Sequence, residues 1–352
     1  MDLLQQLHHP YVIELKLATM LSSTTPPKIL VVMEWLPYNL RELVQRHRPK
    51  GLSSESVKAI LHQLLSALSF VHRTGVVMRT LTCAPPGSEA ALISPRSRVL
   101  PDLVCLILRR NRRTSMKPAF AARRKGAASS MPLGRAPWPI LSARPARRSA
   151  RRILYDPRQG LVKLGDFINA RNIAEHEHGS GRTLTTYNQC WSGCAPELLL
   201  GGAAGSHRAG VQGQTAQVQY SYPIDVWAAG CVLVEVVSGL PAFDADSEVD
   251  LLYKMFQLCG TPTELTWPGI DGMSNIVTIA CSAPSSIAWP KWAGTGVATR
   301  FSDLPADAIN LLERMLVLNP TDRITATDCL THPFFDFDPQ LARRKLLSEM
   351  AP

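Results

Sequence analysis

The sequence predicts an α+β protein, mainly helical with a small β component. Three observations carry this: apolar residues at helical spacing over 57–71 and 306–318, a run apolar nearly all round from Asp225 to Ser238, and few strand-like runs. With 352 residues, 45% apolar and 19% charged, the chain can bury a substantial core as one large or two small globular domains.

In chain order, Ile29 to Met33 is the first strand-like run. Ser53 or Ser54 can cap a helix whose residues Val57, Ile60, Leu61, Leu64, Leu65, Leu68 and Val71 follow one helical face, with Gly75 just beyond its end. A strand starts at Ile153, and a second, Leu161 to Leu164, leads into Asp166. Asp225 to Ser238 reads as a helix surrounded by protein, stopped by Gly239. A third helix is expected from Ala306 to Leu318, with Ala308, Leu311, Leu312, Met315 and Leu316 on one face and Asn319-Pro320 closing it.

The net charge of +10 is unevenly spread. Residues 94–152 hold fourteen Arg and two Lys against Asp102, a local charge of +15, which leaves −5 for the rest of the chain. This segment is also rich in Ala, Pro and Ser and has no sustained period, so it is expected to be disordered. Eight cysteines are scattered without repeated metal spacing, and no hydrophobic signal segment opens the sequence, which fits an intracellular protein of nucleus or cytoplasm. The longest apolar stretch, Val226 to Val237, contains Glu235 and is shorter than the roughly 18 residues of a membrane span.

Lys163-Leu164-Gly165-Asp166-Phe167, Ala195-Pro196-Glu197 and Asp225-Val226-Trp227 stand in an order and spacing that resembles eukaryotic protein kinases. Leu252-Tyr253-Lys254, Gly260-Thr261-Pro262-Thr263, Trp267-Pro268 and His332-Pro333-Phe334-Phe335 resemble the cyclin-dependent kinases and their relatives. The resemblance implies a kinase-like fold, with a mainly helical large lobe and an incomplete β-containing small lobe. Residues 1–36 would be a remnant of the small lobe and hinge, and 37–82 the first part of the large lobe. Residues 83–151 would be a basic insert, 152–336 the remainder of the large lobe, and 337–352 a C-terminal tail. The insert is either a disordered tether for nuclear targeting or nucleic acid, or translated non-coding sequence.

The resemblance also implies transfer of a phosphoryl group from ATP, with Mg²⁺, to Ser or Thr of a protein substrate. The catalytic centre departs from that pattern. Met78-Arg79-Thr80-Leu81 occupies the place of His-Arg-Asp-Leu, and the neutral hydroxyl of Thr80 replaces the catalytic carboxylate. Thr82 and Arg152 stand where the family has a lysine and a metal-binding asparagine, and Ile168 replaces a glycine. The glycine-rich loop, strand lysine and helix glutamate have no counterpart, so the small lobe is expected to be truncated, with Ile29 to Met33 lacking pairing partners.

By the same resemblance, Asp166 is a metal ligand or a carboxylate that only bonds the activation segment. Met33, Glu34 and Leu36 are a hinge meeting adenine, with Leu154 as the pocket floor, or an ordinary strand and linker. Thr185 is a phosphorylation site with Arg79 as phosphate partner, or part of a solvated loop with Thr183 and Thr186. Glu197 pairs with Arg323, and Asp225 accepts backbone N–H bonds from the catalytic loop. The expected function is a cyclin-dependent kinase-like serine/threonine kinase with impaired catalysis. The alternatives are a pseudokinase scaffold, with cyclin among its possible partners, and a nucleic-acid-binding protein acting through residues 94–152.

Overall fold

The computed structural model describes residues 7–21, 28–48, 50–79, 81, 103–109, 153–165, 167, 170–173, 193–201, 220–245, 247–273 and 291–351. Two helices form the centre of the core. The first, α2 (Ser54–Arg73), follows the short α1 (Leu40–Arg46) and is capped as its sequence suggests, with the Ser53 side chain accepting from the Ser56 N–H. Its apolar face, from Val57 to Val71, is buried. The second, α4 (Pro223–Ser238), is buried on nearly every side because it has no polar face to present to water. It ends at Gly239, whose φ of 68° is the left-handed conformation that lets the N–H turn back to the Glu235 carbonyl.

Around this pair lie α3 (Pro196–Leu200), α5 (Glu248–Cys259), α6 (Val297–Arg300), α7 (Ala306–Met315), α8 (Ala326–Cys329) and α9 (Pro339–Met350). α7 stops at Met315, three residues before the expected end; Leu316 leaves helical geometry while its N–H still bonds the Leu312 carbonyl.

The strands form small sheets. β1 (Leu15–Leu21), β2 (Lys28–Glu34) and β5 (Leu103–Arg109) make an antiparallel sheet in the order β1-β2-β5. β3 (Tyr38–Asn39), β6 (Ile153–Asp156) and β7 (Leu161–Leu164) make a second, and β4 (Val76–Val77) pairs with β8 (Arg171–Asn172). Two expectations need correction, and a third gains detail. Ile29 to Met33 lies within β2, which has partners on both sides instead of an open edge. Residues 103–109, inside the segment expected to be structureless, form β5, because the basic composition around them masks a run of six apolar residues. The expected tail at 337–352 contains α9, which buries Ala342, Leu346 and Met350, one residue per helical turn, against the body of the protein. Its sequence mate is distant: the Glu349 carboxylate accepts the Ser53 N–H at 3.0 Å, at the start of α2.

The first sheet is tied to the rest of the fold through β7. The Ile13 N–H donates to the Leu164 carbonyl at 2.9 Å, and the Leu164 N–H donates to the Tyr11 carbonyl at 2.8 Å.

Candidate active site

The most constrained point of the site is Asp225, in the first turn of α4 and 1% exposed. One carboxylate oxygen accepts the Met78 N–H at 2.7 Å and meets His72 Nε2 at 3.1 Å; the other accepts the Arg79 N–H at 2.8 Å. A negative charge is favoured here by the positive end of the helix dipole, and two adjacent backbone donors fix the loop's direction. Arg79 has a φ of 66°, the one positive value outside glycine among the described residues. Such a conformation costs on the order of 1–3 kcal/mol and persists where surrounding bonds impose it. Here Asp225 holds the backbone. The Arg79 guanidinium donates to the Tyr220 hydroxyl at 2.5 Å and lies 5.4 Å from that ring's centre. Burial pushes the Tyr220 phenol above its ordinary pKa, against the opposing pull of Arg79, so the hydroxyl stays protonated while it accepts this bond.

The loop is therefore anchored on both sides of its altered position: Met78 and Arg79 before it and Leu81 after it are all buried. Thr80, Asp166, Ile168, Thr82, Arg152, Thr183, Thr185 and Thr186 lie outside the described residues. Phe167, the neighbour of Asp166, is buried in the core. Arg79, expected to meet a phosphate at Thr185, is 4% exposed and is engaged with Tyr220.

At the hinge, Leu36 is buried, and Met33 and Leu154 are half-buried against the core. The Glu34 N–H donates to the Glu14 carbonyl at 2.9 Å, while a Glu34 carboxylate oxygen accepts the Glu14 N–H at 3.3 Å and Lys163 Nζ at 2.8 Å. Lys163 stands opposite Leu154 in the β6–β7 register, so the expected pocket floor and this ion pair share one face of the hairpin. The sequence assigned no role to Glu14, His72 or Tyr220, and Lys163 stood there only as the first residue of a motif. His72 lies in the last turn of α2, but these contacts join all four to distant segments, which no local pattern encodes.

Glu197 and Arg323 form a bidentate pair at 2.7 and 3.0 Å. The remaining Arg323 donors reach the carbonyls of Pro223 at 2.8 Å, Val317 at 3.0 Å and Leu318 at 3.1 Å, so all five are used. The guanidinium also lies 5.2 Å from the Trp227 ring centre. The pair joins α3, α4 and the segment after α7 in one charged knot. Two thiols near it are held protonated: burial raises Cys231 far above its ordinary pKa, and pushes Cys259 up to about 12. Neither is a nucleophile at neutral pH.

This arrangement has a known counterpart. The family model for the protein kinase domain matches residues 150–335, taking in β6, β7, Glu197, Asp225 and Arg323. The chain belongs to the protein kinase family. Members of that family transfer a phosphoryl group from ATP with the help of Mg²⁺, and catalysis there is mainly positioning and charge stabilisation. Among the described residues of this kinase, no group of three His, Cys, Asp or Glu side chains could hold a metal ion. Asp166, the carboxylate expected to bind a metal, lies outside those residues. No described helix is long and apolar enough to cross a membrane.

Proposed function

We propose that this chain is a cyclin-dependent kinase-like member of the family with serine/threonine specificity, in which phosphoryl transfer is impaired while the large lobe keeps its architecture. The carrying observation is a contrast. Asp225 still holds the backbone of Met78 and Arg79, and Glu197 still binds Arg323, yet the sequence has Thr80 where the family's catalytic carboxylate would follow Arg79. A hydroxyl that is neutral near pH 7 cannot take a proton from the substrate, which alone lowers rate by about 10²- to 10⁴-fold. The cyclin-dependent kinase reading is supported by the segment after α5. There Trp267 is buried, the Glu264 carboxylate accepts the N–H groups of Gly269 and Asp271 at 2.8 and 2.9 Å, and Thr261 exchanges two bonds with the Trp292 backbone at 3.0 Å each, giving residues 261–271 a fixed shape.

A second reading, a scaffold that binds protein partners without turnover, draws on the same contrast, because the retained contacts serve shape and the altered ones serve chemistry. Cyclin is a partner to test under either reading. Nucleic-acid binding through residues 94–152 would appear as a steep salt dependence.

The test is thermal stabilisation by MgATP, comparing the unaltered chain with Asp166→Asn, together with phosphoryl transfer to a protein substrate by the unaltered chain and Thr80→Asp. A nucleotide-dependent shift lost in Asp166→Asn, with transfer raised by Thr80→Asp, supports the impaired kinase. No shift in folded protein and no transfer by either form refutes it in favour of the scaffold.

A further inference from the structure

We propose that Leu103–Arg109 is a built-in third strand that covers the edge of β2 and keeps the β1–β2 hairpin folded. Among the described residues, β1 and β2 by themselves are one antiparallel pair, and an isolated two-stranded hairpin is marginally stable in water. β5 adds the third strand and makes β2 central. Its register is continuous over seven pairs, from Lys28 opposite Arg109 to Glu34 opposite Leu103, whereas the β1–β2 pairing carries an irregularity between Leu15 and Leu17. β2 therefore makes its more regular ladder with the strand that is farther away in sequence.

The sequence of β5 suits that place. Leu103-Val104-Cys105-Leu106-Ile107-Leu108 is apolar and partly β-branched, the strand ends at the charged Arg109, and the sequence goes on with Arg110, Arg112 and Arg113. Charges at the end of an edge strand discourage further strands from adding. Reach is no obstacle: the 21 residues between Leu81 and Leu103 span up to about 70 Å when extended, at roughly 3.3 Å each. A strand tethered in the same chain also meets β2 at an effective concentration on the order of millimolar, above that of a second copy. The basic segment thus contributes a structural element to the sheet that carries the hinge residues Met33 and Glu34.

The geometry supplies an internal control. Along β5, successive N–H groups point alternately to β2 and away from it, because β5 is an edge strand. Proline is tolerated where the N–H faces outward and breaks the ladder where it faces the partner. Leu106→Pro and Ile107→Pro are therefore made separately in the full chain, and amide hydrogen exchange is followed across β2 together with the molecular mass in solution. One of the two is expected to speed exchange in β2 at least tenfold while the other leaves it near the unaltered rate. A dimer formed only by the sensitive variant, with β2 protected again in the dimer, also supports the proposal, since the freed edge then takes a second copy. Equal exchange in both variants, whether unchanged or fast in both, overturns it.

Discussion

Replacing Glu197 by alanine leaves Arg323 buried with three backbone carbonyls and no counter-charge. In the unaltered protein the Arg323 side chain is fully excluded from water and that of Glu197 is 6% exposed, so solvent does little to screen either charge. Breaking a buried pair from one side costs about 3–5 kcal/mol, because the surviving charge stays desolvated. At roughly 2–4 °C per kcal/mol for a domain of this class, Glu197→Ala should lower Tm by about 6–20 °C. Arg323→Ala should cost more, since it also strips donors from the carbonyls of Pro223, Val317 and Leu318. The double variant should cost less than the two single changes together, with a coupling on the order of 0.5–3 kcal/mol. Thermal unfolding followed by circular dichroism reads all three. A Glu197→Ala shift under about 2 °C, or strict additivity in the double variant, would refute the view that this pair ties the large lobe together.

Removing the Asp225 carboxylate with Asp225→Ala should cost about 3–6 kcal/mol, from two charge-assisted bonds of roughly 1.5–3 kcal/mol each, and should speed hydrogen exchange at Met78 and Arg79. Gly294→Ala should destabilise more than Gly239→Ala. A Cβ at Gly294 would lie 2.7 Å from the Gly260 backbone nitrogen, whereas at Gly239 it meets the movable side chain of Arg48; urea midpoints distinguish the two. Burial lowers the pKa of His62 from its ordinary 6.5, and burial followed by a nearby arginine does the same for His9 and His332. The unfolded chain then binds more protons than the folded one as pH falls below 6.5, so stability present above that pH is lost on acidification. Urea midpoints from about pH 7.5 to 5 should fall, and His62→Leu should make that fall shallower.

The parts of this fold that were legible in the sequence are those where one local period decides the outcome. α2 carries a full apolar face behind a serine cap, and α4 is apolar all round with a glycine at its end. β1 was not legible, because Leu15–Leu21 mixes polar and apolar residues and its pairing with β2 is irregular at Leu15 and Leu17. α9 was obscured for a different reason: Ala342, Leu346 and Met350 are separated by Arg343, Arg344 and Lys345, so the buried stripe is narrow within a charged stretch. In the site, Glu197, Arg323 and Asp225 were accessible through motifs that fix residue type and spacing. Tyr220 beneath Arg79 and Lys163 on Glu34 were not, since each depends on segments 141 and 129 residues apart meeting in space.

The bond between Ser53 and Glu349 also sets a timetable for the nascent chain. Its ends are separated by 296 residues, and α9, to which Glu349 belongs, packs along α2. At a synthesis rate of about 5–20 residues per second, the first turn of α2 waits roughly 15–60 s for this partner, given the 296-residue separation. During that interval the apolar face of α2 lacks one of its covering helices, and the unfinished lobe is open to chaperones and to association with other chains. Packing of α9 on α2 is consequently a late event, because α9 is made after every other described helix.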